Sequence, residues 1–207
     1  QNARMNAASL PLPKGRPREF DPDRVVQGAM DIFWSNGYQG TSLPDLLQAT
    51  GLSRSSLYAA FGDKHGLFLL ALDRYIADAI ARIDQELDAQ RDPWDALRLF
   101  LSGYVQRNSG AKGRKGCLVV ATAMELAGKD AEVEKRIRGF FQSVEGRLAD
   151  TFGRAQKAGT LADGIGPKDA ARVVLAMVEG LRVIAKTGVD GKVWQASVDA
   201  LLGRLIK

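Results

Sequence analysis

Residues 42–62 read SLPDLLQATGLSRSSLYAAFG, and this stretch decides the fold. A short helix is predicted from about Ser42 to Ala49, stopped by Thr50-Gly51. Ser53 then caps a second short helix that ends at Phe61-Gly62. Gly51 permits the positive φ that a tight interhelical turn needs. Leu46, Leu47, Leu52, Leu57 and Phe61 fall on the inner faces. Two short helices joined this way fit the bihelical DNA reader. On its second helix, Arg54, Ser55 and Tyr58 (positions i, i+1 and i+4) are left facing outward beside the capping Ser53. An arginine can fork onto guanine, and hydroxyls reach phosphates or base edges. Lys64, Thr41 and Ser42 stand at neighbouring helix starts, where they can meet phosphate.

Outward from this core the chain reads as all-α, with about nine helices. Period-2 alternation is absent and i, i+3, i+4 apolar spacing recurs. Asp21-Pro22 opens a first helix carrying Val25, Val26, Ala29, Ile32 and Phe33, which ends near Asn36-Gly37. Asp63 caps a long helix reaching about Leu87. Further helices are expected at about Trp94–Arg107, Cys117–Ala127, Ala131–Ala158, Lys168–Thr187 and Lys192–Leu205. The segment Asn108–Gly116 (NSGAKGRKG), rich in glycine and cations, reads as a loop. Three parts follow: a flexible basic arm (1–18), a helix-turn-helix domain (19–66), and a helical domain for effector binding and dimerisation (67–207). Their division falls inside the long fourth helix, so no flexible linker is expected.

Composition sets the outer bounds. The 207 residues are 45% apolar and 26% charged, ordinary for a globular protein. No apolar run is long enough to span a bilayer, and Gln1–Ser9 lack the apolar core of a signal peptide. A cytoplasmic location is the simplest expectation. The net charge of +5 is unevenly spread. Arg4, Lys14, Arg16 and Arg18 precede any acid, whereas residues 19–74 carry four basic and seven acidic side chains. DNA affinity is therefore expected from a few placed donors plus the arm. One cysteine and one histidine, Cys117 and His65, argue against a disulfide framework and a Cys/His metal site. No catalytic constellation or cofactor motif stands out, and 110–116 lacks the Gly-Lys-Ser/Thr ending of a phosphate loop.

The stretch GRPREFDPDRVVQGAMDIFWSNGYQGTSLPDLLQATGLSRSSLYAAFGDKHGLF, Gly15–Phe68, resembles the DNA-binding domain of the tetracycline-repressor (TetR) family. Phe33, Gly37, Thr41, Gly51, Ser53, Leu57-Tyr58, Phe61, Lys64 and Leu67 fall at the family's spacing. Leu47 and Thr50 depart from its usual alanines, and Ala60 replaces a frequent histidine. The resemblance implies a homodimer that binds a palindromic double-stranded operator and is released by a small ligand. Arg16 and Arg18 resemble segments inserted into the minor groove.

The remaining two-thirds is less specific. The helix at 168–187 is apolar on nearly all sides and must be covered on both. With the last helix it suits an isologous four-helix interface, for which Val174, Leu181, Val198, Leu201 and Leu205 are candidates. The resemblance agrees, since TetR relatives dimerise through their last two long helices. Phe100, Tyr104, Met124, Phe140, Phe141 and Met177 are candidates to wall an effector pocket, with Tyr104 as its polar handle. Cys117 follows Lys112, Arg114 and Lys115 and sits at the first turn of the next helix, a setting that favours thiolate. Gly116-Cys117-Leu118, with Glu125 beyond, resembles a TetR subgroup in which some members sense electrophiles or oxidants, some of them with a lysine that Lys186 matches. Cysteine chemistry, an apolar ligand and no effector all remain open. A transcription repressor with an unidentified small-molecule or oxidant effector is the leading reading; a non-regulated architectural DNA binder is the alternative. A pocket able to hold a small molecule separates them.

Overall fold

The computed structural model describes residues 20–188 and 190–207, so Arg16 and Arg18 lie outside the described residues. Ten helices follow one another: α1 (Pro22–Asn36), α2 (Leu43–Thr50), α3 (Arg54–Phe61), α4 (Lys64–Asp88), α5 (Pro93–Arg107), α6 (Gly110–Lys115), α7 (Leu118–Leu126), α8 (Ala131–Lys157), α9 (Pro167–Ala185) and α10 (Gly191–Leu205). Among the described residues the sole β feature is an isolated bridge between Leu161 and Ile206.

Local sequence sets most of the helix starts. Asp21, Asp63, Asp92, Asp130 and Asp190 each accept a backbone N–H of the first turn, and Ser42 and Ser53 do the same for α2 and α3. A cap of this kind contributes about 1 kcal/mol. Ser42 and Asp45 bond reciprocally in a capping box, and those bonds hold the Asp45 carboxyl below its usual range. Gly51 ends α2 with φ +69°, the left-handed conformation that opens the turn to α3.

Helices α1 to α3 close over Phe33, Leu46 and Leu57, all without exposure, and over the first turns of α4 through Leu67 and Phe68. The Phe33 and Phe68 rings meet edge to face at 4.9 Å. Gly28 lets the α2 backbone approach α1, since a Cβ there would stand 2.9 Å from the Ala49 carbonyl oxygen. The rest of α4 enters the second layer, where α8 runs alongside it. Arg136–Asp73 (2.8 Å) and Arg147–Asp84 pair the two helices at the same sequence offset, three turns apart. Partly exposed pairs like these add at most about 1 kcal/mol each. The main attachment is apolar: Leu97, Phe100, Phe140, Leu148, Phe152 and Val174 form a continuous core between α5, α8 and α9.

One expectation is corrected. Asn108–Gly116 is not a simple loop but contains α6, which raises the count to ten among the described residues. Glycine-rich sequence has little intrinsic helicity. Packing on α9 supplies what the sequence lacks: a Cβ on Gly113 would stand 3.3 Å from the Ala185 methyl.

Candidate functional site

The α2–turn–α3 unit presents one outer face. Arg54, Ser55 and Tyr58 are exposed, while Leu57 between them is fully buried. Ser53 Oγ accepts from Ser56 N at 3.1 Å and lies 3.0 Å from Ser55 Oγ, so its first task is to start the helix. Ser42 is exposed, and its hydroxyl donates to Asp45 at 2.6 Å. Lys64 is half-buried, its ammonium 4.5 Å above the Tyr38 ring centre. Thr41 requires correction as a phosphate contact. It is wholly buried and donates to the Gly37 carbonyl at 2.6 Å, closing the α1–α2 turn. A hydroxyl committed in this way has no proton to offer DNA.

A second site surrounds Cys117. The thiol is buried immediately before α7, at the edge of a cavity of about 520 Å³. That cavity is walled by Trp34 of α1, Tyr75 and Arg82 of α4, Arg107 and Asn108 at the end of α5, Ala111 and Lys115 of α6, and Arg182 of α9. Arg182 Nη1 donates to the sulfur at 3.0 Å, and the Tyr75 hydroxyl donates at 3.5 Å. Arg182 is itself held by Glu179 at 3.2 Å and lies 4.8 Å from the Tyr104 ring centre. Burial works against the Arg182 charge, but Cys117, Tyr104, Glu179 and Tyr75 around it more than offset that and raise its pKa. Burial, reinforced by Cys117, pushes the Tyr75 phenol far above its ordinary range, so it stays a proton donor. Burial likewise raises Glu179, with Arg182 opposing.

The segment carrying the cysteine is fixed to the helix-turn-helix unit at both ends. At its start, Trp34 Nε1 donates to the Gly116 carbonyl at 3.1 Å, and the Lys115 ammonium sits 4.0 Å above the Trp34 ring while pairing with Asp31 at 3.3 Å. At the far end of α7, the Glu125 carboxylate accepts from Tyr38 N at 3.0 Å and Gln39 N at 2.6 Å, in the turn between α1 and α2. Helix α7 is therefore a strut from the sulfur to the base of the reading head.

Several expected pocket and interface residues lie elsewhere. Phe100 and Phe140 are core, at most 2% exposed, because facing helices interdigitate there without a gap. Phe141 and Met177 are half-buried against that core, and Met124 is 84% exposed on the outside of α7. None of these five lines the Cys117 cavity. Tyr104 is no free polar handle: its hydroxyl donates to the Val178 carbonyl at 2.8 Å, and burial raises its pKa well above normal. Of the expected pocket residues, the cavity takes Cys117 alone. Lys186 is exposed at the end of α9, its stem close enough to Gly116 that a Cβ there would meet Lys186 Cε at 3.1 Å. Val174, Leu181, Val198 and Leu205 are buried within this one chain and cannot form a seam with another; Leu201 is half-buried. The outward apolar residues of α9 and α10 are instead Val173, Val183, Ile184 and Val193. Trp34, Tyr75, Arg82, Arg107 and Arg182 were not singled out from sequence. Only the tertiary fold brings them to the cysteine.

A helix-turn-helix head on an all-helical body with a cleft between the two defines a DNA-binding transcriptional regulator. Residues 25–71 match the family described as bacterial regulatory proteins of the tetR family, and residues 93–201 match the tetracyclin repressor-like C-terminal domain. The chain belongs to the TetR family. Among its relatives, the HTH-type transcriptional repressor ComR of Escherichia coli (strain K12) is 27% identical over 176 residues, covering 84% of each chain. An uncharacterized HTH-type regulator of Bacillus subtilis (strain 168), YezE, is 33% identical over 138 residues, covering 67% of this chain and 69% of that one. Among solved structures, a cysteine mutant of the TetR-family regulator CifR bound to a 26-bp double-strand operator superposes with a TM-score of 0.81 at 31% identity, covering 92% of this chain and all of that one. Among the described residues, no helix is long and apolar enough to cross a membrane.

Proposed function

We propose that this chain is a homodimeric repressor acting in the cytoplasm, with two α3 helices reading a palindromic operator, and that modification of Cys117 releases it from DNA. The observation that carries this reading is the placement of the thiol. It lines a cavity at the junction of the two layers, on a segment hydrogen-bonded at both ends to the helix-turn-helix unit. A cavity of this size is within the range of small-molecule sites. It favours a regulated protein over a purely architectural binder.

Arg54, Ser55 and Tyr58 face the major groove, while Ser42, Ser53 and Lys64 lie at helix starts beside the backbone. The arm with Arg16 and Arg18 precedes α1, and residues 19–66 and 67–207 act as head and body. The dimer seam is assigned to Val173, Val183, Ile184 and Val193, apolar side chains left uncovered on α9 and α10. An adduct on Cys117 needs room beside Tyr75, Trp34 and Arg182, and that displaces Gly116 and the start of α7. The strut then moves the α1–α2 turn and changes the spacing of the two reading heads, which must match one DNA turn of about 34 Å. Oxidation acts through the same displacement, with Lys186 the nearby amine available to a sulfenic acid, which would release water on forming the S–N bond.

The test is operator binding by the full chain before and after treatment with a thiol-selective reagent or peroxide, repeated with Cys117→Ser. Release by the wild type and retention by the variant support the reading. A thiol that reacts only after denaturation sinks it.

A further inference from the structure

The described residues that line the Cys117 cavity carry charge of one sign. Four cations line it, Arg82, Arg107, Lys115 and Arg182, and none of the described lining residues is acidic. Three of the four already have carboxylates behind them: Glu86 grips Arg107 with both oxygens, Asp31 pairs with Lys115 and Glu179 with Arg182. Those carboxylates are not among the described residues that line the cavity, and Arg182 donates to the sulfur from the same nitrogen that bonds Glu179. Arg82 differs. Among the described residues it is in no ion pair, and it is exposed at the cavity. Trp34 and Tyr75 complete the wall as edge-to-face rings 4.9 Å apart.

A cleft lined by one sign of charge on a low-dielectric wall concentrates the opposite sign, raising encounter rates about 10- to 1,000-fold. From this geometry we infer that the cavity selects anionic electrophiles, small carbon electrophiles bearing a carboxylate, and that Arg82 is the residue that captures the anion. The inference rests on the reading of Cys117 as the reactive group and adds the class of molecule that reaches it. A carboxylate-bearing activated alkene or epoxide satisfies the chemistry. Sulfur bonds to the electrophilic carbon, the displaced electron pair goes to the adjacent carbon or to the ring-opened oxygen, and that atom takes up a proton in place of the one the thiol gives to water. Nothing leaves and nothing is oxidised. Arginine suits the capture because its planar fork receives both carboxylate oxygens.

The experiment compares alkylation of the full chain at Cys117 by iodoacetate and by iodoacetamide, nearly isosteric reagents that differ by one negative charge. Sulfur displaces iodide in both, and the adduct is located by mass. Each rate is divided by that of 2-mercaptoethanol, a neutral thiol, under the same conditions. The expected normalised preference for iodoacetate is about 10-fold or more at low ionic strength, collapsing toward unity in 1 M salt. Arg82→Gln is expected to reduce it at least threefold while leaving iodoacetamide unaffected. A thiol that reacts readily with both reagents at a normalised ratio near or below one overturns the anion selectivity and leaves Cys117 as the sensor. A high ratio unchanged in Arg82→Gln overturns the assignment to Arg82. No adduct with either reagent on the folded chain overturns the underlying cysteine reading itself.

Discussion

Replacing Glu125 by alanine tests whether α7 is a strut between the cysteine and the reading head. Its carboxylate accepts two backbone N–H groups, from Tyr38 at 3.0 Å and Gln39 at 2.6 Å, in the turn that sets the angle of α2. Hydrogen bonds to a charged group contribute about 1.5–3 kcal/mol each when buried. Glu125 is half-buried, so water recovers part of that, and the expected cost of Glu125→Ala is about 2 kcal/mol. For a chain of this length each kcal/mol shifts Tm by about 2–4 °C, giving a fall of about 4–8 °C. Glu125→Gln, which keeps one acceptor oxygen, should lose about half as much. Gly37 belongs to the same device: its φ of +76° suits glycine, and a Cβ there would stand 2.9 Å from a Glu125 oxygen. Thermal unfolding followed by circular dichroism reads the stability. Operator titration with and without alkylated Cys117 reads the coupling, and the alkylated Glu125→Ala protein should hold DNA better than the alkylated wild type. A Tm within 1 °C of wild type, or undiminished release on alkylation, would refute the strut.

Other outcomes follow from the same geometry. Arg54→Ala should weaken binding to the preferred operator by about 1–3 kcal/mol and relax base preference at one position per half-site, read by competition among operator variants. Lys64→Ala should instead weaken all sequences alike and reduce the slope of log affinity against log salt by about one. Val183→Glu, which charges the exposed apolar face of α9, should give a folded monomer in sedimentation, whereas Val174→Glu should lower Tm sharply because Val174 is wholly buried within one chain. Cys117→Ser should bind operator as the wild type does and lose its response to oxidant; a variant that still releases DNA on oxidation would return the thiol to a packing role.

The reading head was legible because its information is local. Ser42, Gly51 and Ser53 each act within four residues of themselves, through a cap or a permitted φ, and leucine spacing shows which side of each short helix is buried. The same logic places Asp21 and Asp63 at helix starts. It failed at Asn108–Gly116, where helix formation depends on α9, some 70 residues away, and composition pointed the other way. Thr41 was misjudged for a related reason: a hydroxyl at a helix start looks available until its acceptor, the Gly37 carbonyl, is seen.

The sequence by itself determined the all-helical class, the head with Arg54, Ser55 and Tyr58 outward, and a helix start within one residue of Cys117, because periodicity and capping are written in neighbouring residues. The tertiary structure alone decided what surrounds that cysteine and which apolar residues are spent inside the chain. The cation hydrogen-bonded to the sulfur is Arg182, 65 positions further along, a partner that sequence proximity does not suggest. Val174 and Val173 are adjacent in sequence and equally apolar, yet one is wholly buried against the core and the other faces outward. A helix apolar on all sides does not declare which side its own chain will cover. That depends on where α8 lies, and α8 is placed by contacts distant in sequence.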